Sequence, residues 1–143
     1  MRLKIKRLDP TIGLPQPATG GAAAFDISAA ADVEVPAHAI RLIGTGLVIA
    51  VPSGYFLGIF ARSSTPLRRG LIVANGVGIV DADYCGPTDE VKIQVLNVTD
   101  APVKVARGDR LAQGIVLPSP PIEWEEVEAM NLPSRGGFGS TGG

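Results

Sequence analysis

The sequence predicts an all-β fold, and three observations lead to that prediction. Eighteen glycines and twelve prolines interrupt the 143 residues at short intervals. The runs between them are short, rich in β-branched and aliphatic residues, and in several places alternate between apolar and polar positions. Long helical periodicity is absent. Many short strands at close spacing are typical of a β-sandwich or barrel, and this length fits one domain.

The predicted strands follow one another along most of the chain. Residues 91–95 alternate strictly, which predicts a strand with one buried face. Residues 46–51 form a continuous apolar run that ends at Pro52, as a fully buried strand would. The other segments predicted as strands are residues 3–6, 32–35, 55–60, 70–74, 78–80, 101–105, 110–117 and 123–127.

Three local signals connect these strands. Asn75 and Gly76 stand between two apolar runs, and Asn-Gly in that setting predicts a β-hairpin. Residues 64–69 are the one helical fragment, which Pro66 keeps short. Residues 107–110, with sequence RGDR, predict a turn between two strands.

The composition limits the class of function. Thirteen basic and fourteen acidic residues give a net charge of −1, which argues against a nucleic-acid polymer or a membrane as the main partner. The lone cysteine, Cys85, excludes an intrachain disulfide, and with His38 as the lone histidine a zinc site is disfavoured. No apolar run reaches membrane-spanning length, and the N-terminus has none that is long. We therefore expect a cytoplasmic protein.

The last part of the chain differs in amino-acid composition from the rest. We expect a single β domain over residues 1–130, in which Trp124 packs, and a glycine-rich arm over residues 131–143. Glycine loses much backbone entropy on ordering, so the arm should order only when a ligand or partner contacts it. His38, two residues after Pro36, is expected at the surface.

Two short segments carry groups suited to chemistry on an anion. Just past a predicted strand, Asp81 could act as a general base on water, although a polar turn with solvated carboxylates is the alternative. In ARSSTP, residues 61–66, an arginine and three hydroxyls precede a helical start, an arrangement that could bind phosphate oxygens. An ordinary Ser/Thr helix cap is the alternative there.

Five segments, taken in order, resemble the five motifs of the trimeric dUTP pyrophosphatases (dUTPases). The resemblance implies a jelly-roll-like subunit, a distorted β-barrel or sandwich, in a homotrimer with shared active sites. It implies hydrolysis of dUTP to dUMP and pyrophosphate, with Mg²⁺ held on the triphosphate and by waters. The segments are AAAFDISAA (22–30), ARSST (61–65), NGVGIVDADYCG (75–86), RGDRLAQGIV (107–116) and RGGFGSTG (135–142).

The resemblance also assigns roles to residues. It implies that Asp81 activates the water that attacks the α-phosphorus, that Tyr84 packs beneath the deoxyribose, and that Asp26 and Arg110 support the site. The implied base contacts are Asn75, Gly78, Ile79, Val80 and Lys92. The implied phosphate contacts are Arg62, Ser63, Ser64 and Gln113, joined by Arg135, Ser140 and Thr141 of an arm that closes over a neighbouring subunit's site. In the same arm the resemblance implies that Phe138 stacks on uracil and that Gly139 lets the backbone lie close to the substrate.

Two departures and two alternatives accompany this assignment. Residues 87–90 look like an insertion that should form a loop, and Arg135 stands two residues closer to Phe138 than is usual. dCTP deaminase, or its bifunctional relative, shares the fold, but its catalytic glutamate falls on Gln94, which cannot serve as that base. A non-catalytic nucleotide-binding regulator is the other alternative, against which the retention of Asp81 and Tyr84 argues.

Overall fold

Short antiparallel strands dominate the computed structural model, which describes residues 1–137 and confirms the all-β prediction. The strands are β1 Lys4–Arg7, β2 Phe25–Ser28, β3 Val33–Val35, β4 Ile40–Gly44, β5 Leu47–Ala50, β6 Tyr55–Ala61, β7 Leu71–Val73, β8 Gly78–Val80, β9 Lys92–Asn97, β10 Val103–Val105 and β11 Arg110–Pro118. One helix, α1 (Ser64–Arg69), lies between β6 and β7 in this described part.

The strands form four sheets. A four-stranded sheet has the order β2-β11-β6-β8, and a three-stranded sheet has the order β4-β9-β7. Two further pairs, β1-β5 and β10-β3, complete the set. Within residues 1–137 these sheets do not join into a closed barrel, so the fold is a distorted β-sandwich, as the sequence predicts.

Aliphatic side chains from all four sheets meet in one core. In β9 the predicted alternation is observed, since Ile93 and Val95 are buried while Lys92 is exposed. Each such side chain stabilises the fold by about 1.5–3 kcal/mol through the apolar surface it removes from water. The large core residues with at most 2% exposure are Ile27, Val35, Ile43, Ile49, Leu57, Leu71, Val91, Ile93, Val95, Val105 and Leu111.

The predicted helix is confirmed, and its two ends have separate causes. The Thr65 hydroxyl donates to the Leu111 carbonyl (3.0 Å), which fixes the first turn against β11. At the other end Gly70 takes the left-handed conformation (φ 64°) and its N–H donates to the Pro66 carbonyl (3.0 Å). A Cβ at Gly70 would collide with the Thr99 methyl, so glycine ends the helix here.

The predicted hairpin at Asn75-Gly76 is wrong. The chain does turn there, and Gly76 has a φ of 72°. However, β7 pairs with β9 and β8 pairs with β6, so the turn passes from one sheet to another. The dipeptide specifies a local reversal, whereas the partner of each strand is decided by pairing with distant segments.

The strand predicted at residues 123–127 is also wrong, and Trp124 is not packed. No strand is present in residues 119–137, and the Trp124 side chain is 92% exposed. A strand needs a partner for its backbone groups, and no other segment of residues 1–137 pairs with residues 123–127. Two strands, β2 and β4, were not predicted. In β4 the apolar Ile40 and Leu42 are 51% and 61% exposed while the adjacent Ile43 is buried, so apolar residues lie on both faces and the alternation stops after Leu42.

Several smaller predictions hold. Gly108 has a φ of 86° in the predicted turn, where the Asp109 N–H donates to the Ala106 carbonyl (3.0 Å). Residues 87–90 form the expected loop, and His38 is exposed beside Asp100. Among residues 1–137, no helix has the length and apolar character that crossing a membrane requires.

Candidate active site

One end of the four-stranded sheet gathers the predicted phosphate-binding residues. Arg62 follows directly on β6, and its neighbour β11 sets Gln113 opposite Phe60. On the other side of β11, Asp26 in β2 lies opposite Gln113. The half-buried Gln113 amide donates to the Ala61 carbonyl (3.3 Å), so it does not simply face solvent. The strand register therefore brings the first, second and fourth sequence segments together.

Asp26 holds two arginines at this end. Its Oδ1 accepts from Arg62 Nε (2.7 Å), and its Oδ2 accepts from Arg62 Nη2 (3.4 Å) and Arg110 Nη1 (3.1 Å). The Asp26 and Arg62 side chains are only 14% and 22% exposed. Two guanidinium groups against one carboxylate leave one excess positive charge in a partly desolvated place. Such a cluster is already oriented to receive an anion.

The hydroxyls of Ser63, Ser64 and Thr65 lie beside this cluster and differ in burial and in hydrogen bonding. The backbone at Ser63 is helical, and its side chain makes no capping hydrogen bond, so the helix-cap alternative is wrong for Ser63. Ser63 is exposed and Ser64 is half-buried at the mouth of the cluster. Thr65 is buried and committed to the Leu111 carbonyl. Thr65 thus holds the structure, whereas Ser64 lines a cleft beside α1 and Ser63 is open to solvent.

A cleft of about 230 Å³ opens between α1 and the turn at residues 107–110. Arg69 Nη1 donates to Asp109 Oδ2 (2.6 Å), and this bond holds the pKa of Asp109 below its ordinary range, against the opposing effect of burial. The same carboxylate accepts the Ala106 N–H (2.8 Å). The cleft is lined by Arg62, Ser64, Thr65, Arg68, Arg69, Gly108, Asp109 and Arg110.

A second group of predicted residues lies around β8. This strand is an edge of the four-stranded sheet, so its outer side presents main-chain N–H and C=O groups that no neighbouring strand of residues 1–137 pairs. Gly78 and the Val80 side chain are buried, while Ile79 is 57% exposed. Asn75 is exposed in the preceding turn. A planar base with its own donors and acceptors could lie along this edge.

The chain turns immediately after β8. The Tyr84 N–H donates to the Asp81 carbonyl (3.2 Å), so Asp81 and Asp83 lie in a turn rather than on a strand, and both are exposed. The Tyr84 ring is 43% exposed, and its hydroxyl donates to the Glu90 carbonyl (3.3 Å). Lys92, nearly half exposed, lies 3.9 Å from the Glu90 carboxylate.

The two groups are far apart within one chain. Because Val80 lies opposite Leu57, Asp81 leaves the sheet near the amino end of β6, whereas Arg62 follows the carboxyl end. A rise of about 3.3 Å per strand residue puts the two roughly 20 Å apart. A single chain therefore does not bring Asp81 to the Arg62 cluster.

The remaining predicted residues belong to the arm. Arg135 is exposed and joins neither group. Phe138, Gly139, Ser140 and Thr141 lie outside the described residues. No group of three or more His, Cys, Asp or Glu side chains in residues 1–137 could hold a metal ion.

Sequence reasoning missed three residues that shape the site. Arg69 and Asp109 pair across 40 positions, and Glu90 reaches Gly46 across 44. Asp109 was seen as part of a turn, and Glu90 as part of a loop. No local pattern signals either long-range contact, because the sheet pairing that produces it is not written in any one segment.

Comparison with known proteins agrees with this arrangement. The family model of dUTPases matches residues 11–142. The deoxyuridine 5′-triphosphate nucleotidohydrolase of Thermobifida fusca is 42% identical over 146 residues, covering 100% of this chain and 80% of the relative. The dUTPase structure from Streptococcus mutans has a TM-score of 0.78 at 33% identity, covering 85% of this chain and 98% of that one.

A more distant structure supports the fold alone. A mutant dUTPase of Staphylococcus aureus phage phi11, which coordinates a structural Mg(II) ion, has a TM-score of 0.80 at 21% identity and covers 92% of this chain and all of that one. The family match spans both groups of site residues and most of the described strands. The chain belongs to the dUTPase family.

Proposed function

We propose that the protein is a dUTP diphosphatase, which hydrolyses dUTP with water to dUMP and pyrophosphate. The observation that carries the proposal is the dUTPase family match over residues 11–142, which includes both the Asp81 turn and the Arg62 cluster. The geometry of the described residues supports a role for each part.

Asp81 is proposed as the general base. Its carboxylate accepts a proton from water, and the water oxygen forms a bond to the α-phosphorus while the bond from that phosphorus to the bridging oxygen of the β-phosphate breaks. Pyrophosphate leaves with the electrons of that bond. The exposed position of Asp81 in a turn after an edge strand supports this role, because substrate and water can both reach it.

The edge of β8 is proposed to select uracil. Main-chain groups of Gly78, Ile79 and Val80, with the Asn75 amide, would match the donors and acceptors of uracil and leave those of cytosine unpaired. Lys92 would lie near the base as well. The Tyr84 ring would pack beneath the deoxyribose and leave no room for a ribose 2′-hydroxyl. The unpaired outer edge of β8 supports this assignment.

The Arg62 cluster is proposed to bind the triphosphate. Arg62, Ser63, Ser64 and Gln113 would contact the phosphates, with Asp26 and Arg110 in support. The supporting observation is the excess positive charge around Asp26, held by hydrogen bonds of 2.7 to 3.4 Å. An anion entering there meets donors whose positions are already fixed, so little ordering is needed on binding.

The active site is proposed to be shared in a homotrimer. The separation of roughly 20 Å between Asp81 and Arg62 supports this, because two chains can join what one chain keeps apart. Residues 131–143 would then be an arm beside the 1–130 domain. Arg135 would reach the phosphates, Phe138 would stack on uracil, and Gly139, Ser140 and Thr141 would close over a neighbour's site and exclude water.

Mg²⁺ is proposed to arrive with the substrate. It prefers phosphate oxygens and water, and the described part of the chain has no cluster of carboxylates to hold it independently. The Asp26 carboxylate is already occupied by two arginines, which fits a metal carried on the triphosphate. The ion would neutralise phosphate charge when bound.

The experiment is pyrophosphate release from dUTP, dCTP, dTTP and UTP, with Mg²⁺ and with excess EDTA. We expect Mg²⁺-dependent turnover of dUTP and little of the other three. Ammonia release from dCTP would instead support a deaminase. Tight dUTP binding without pyrophosphate release would support a nucleotide-binding regulator, and either result would contradict the proposal.

A further inference from the structure

The hydroxyl of Tyr84 is held by the backbone of Glu90. It donates to the Glu90 carbonyl oxygen at 3.3 Å, across the loop of residues 85–89. Because the ring is 43% exposed, packing alone does not fix its orientation. The place of the Glu90 carbonyl therefore helps to decide where the ring stands.

Glu90 is in turn fixed through its own side chain. Its Oε1 accepts the Gly46 N–H (2.8 Å) in the turn between β4 and β5, and the carboxylate is only 21% exposed. Gly46 has a φ of 66°, and its carbonyl accepts the Leu8 N–H (2.8 Å), so this turn is itself held in place. A charge-assisted bond to a backbone N–H in a half-buried position is stronger than a neutral one.

The strand beneath Glu90 is shaped to admit its carboxylate. A Cβ on Gly44 would stand 2.6 Å from Glu90 Oε1, closer than atoms can approach. Glycine at position 44 thus leaves the space that the carboxylate fills. The bond between Asp89 and the Gly86 N–H (2.7 Å), by contrast, lies within the loop and does not reach β4 or β5.

We propose that Glu90 is a positioning residue for sugar selectivity, which acts by anchoring its own carbonyl, and hence the Tyr84 ring, to the turn at Gly46. The proposal rests on the proposed function, in which Tyr84 packs beneath the deoxyribose. When the carboxylate is released, the peptide unit that carries the Glu90 carbonyl keeps the bond from the Val91 N–H to the Leu47 carbonyl (2.8 Å) but loses its side-chain anchor. The carbonyl and the ring then gain freedom, and a ribose 2′-hydroxyl is no longer excluded as strictly.

The test is the ratio of kcat/KM for dUTP to kcat/KM for UTP in the full-length protein. Loss of one hydrogen-bonded anchor should lower this ratio about three- to tenfold in Glu90→Ala. Gly44→Ala should lower it as well, because the added methyl displaces the carboxylate while Glu90 remains present. Glu90→Gln keeps an acceptor oxygen and should restore most of the ratio.

Two further variants separate positioning from general loosening of the loop. Asp89→Ala removes a neighbouring carboxylate of the same loop and should leave the ratio unchanged. In a Tyr84→Phe background, which lacks the hydroxyl, Glu90→Ala should lower the ratio no further. If Glu90→Ala does not fold, Gly44→Ala gives the same test with the glutamate in place.

Distinct results overturn the inference and the proposed function. A ratio equal to that of the wild type in both Glu90→Ala and Gly44→Ala would overturn the inference while dUTP turnover continued. If Glu90→Ala lowers the ratio equally in the wild-type and Tyr84→Phe backgrounds, that result would overturn the inference too. Absence of dUTP turnover in the wild-type protein would overturn the proposed function itself.

Discussion

The two halves of the proposed site are built differently. The Arg62 cluster lies where three neighbouring strands meet, and its ion pairs are partly buried and bonded before any ligand arrives. The Asp81 turn follows an edge strand, and its carboxylate is exposed. One chain thus forms the Arg62 cluster that is proposed to bind phosphate, while Asp81, the proposed base, lies exposed beyond an edge strand of the same sheet.

The difference shows what an assembly would have to add. Binding a triphosphate needs several fixed donors, and strand pairing within one chain provides them. The base needs a substrate placed against it and water excluded around it, neither of which an exposed turn achieves alone. Changes in the Asp81 turn should therefore act mainly on kcat, and changes in the Arg62 cluster mainly on KM for dUTP.

The largest expected effect is at the base. Asp81→Asn should lower kcat about 10²- to 10⁴-fold, because the amide cannot accept the proton from water. Binding of a non-hydrolysable dUTP analogue should change little, since the phosphate-binding half is intact. Asp83→Asn, an equally exposed acid in the same turn, is the matched control and should retain activity. Similar losses in both variants would show that the turn, and not the base, was disturbed.

The next largest effect is expected at Asp26, at the centre of the Arg62 cluster. Asp26→Asn removes the carboxylate that holds two arginines and should lower the free energy of unfolding by about 2 kcal/mol. KM for dUTP should rise more than kcat falls, because the phosphate donors lose their orientation. Urea denaturation and steady-state kinetics check both. Asp100→Asn, which breaks an exposed pair with His38, should leave stability unchanged. An unaltered KM for dUTP in Asp26→Asn would show that the bonds from Asp26 to Arg62 and Arg110 do not orient the phosphate donors.

A pH-dependent effect of smaller size is expected at the rim of the cleft. Asp109→Asn should cost about 1 kcal/mol at pH 7, through loss of the bond from Arg69. The pKa of Asp109 is lowered in the folded protein, so this stability is present above the unfolded pKa of about 4 and is lost as the pH falls through the lower folded value. Urea denaturation at neutral and acidic pH should show the difference between wild type and variant narrowing below about pH 4. If the free energies of unfolding of wild type and Asp109→Asn differ by the same amount at every pH in that range, the ionised Asp109 carboxylate is not the source of the stabilisation.

The smallest stability effect is expected at Ser63. Because its side chain makes no capping hydrogen bond, Ser63→Ala should change the free energy of unfolding by less than about 0.5 kcal/mol, whereas loss of a true cap costs about 1 kcal/mol. KM for dUTP should nevertheless rise. Thr65→Ala is the contrasting variant, since its buried hydroxyl bonds the Leu111 carbonyl and its loss should destabilise the fold measurably.

The parts of the fold that sequence predicts are those set by local patterns. Alternation in residues 91–95 predicts the buried face of β9, and the helical fragment predicted over residues 64–69 coincides with α1. Pairing partners depend on distant segments. The local Asn75-Gly76 signal therefore predicts a hairpin, whereas the structure has β7 and β8 in different sheets. β4 is not predicted because Ile40 and Leu42 face outward while the adjacent Ile43 faces the core, so apolar residues lie on both faces of the strand.

The site shows the same division. The types and order of the motif residues predict a family, which the match over residues 11–142 shows, and a list of candidate site residues, which stays a prediction. The bond from Arg69 to Asp109 and the anchor from Glu90 to Gly46 depend on which strands meet, and no segment encodes them alone. The same holds for Trp124, whose large apolar surface suggests packing but whose side chain is 92% exposed.

The most direct test mixes two inactive variants. Arg62→Ala and Asp81→Asn carry different affinity tags, are co-expressed, and mixed assemblies are purified through both tags. If each site takes Asp81 from one protomer and Arg62 from another, every doubly tagged trimer has one of its three sites intact and regains about a third of the wild-type activity. Two differently tagged copies of Asp81→Asn serve as the control and stay inactive. Mixed assemblies that contain both variants yet show no recovered turnover would contradict the account.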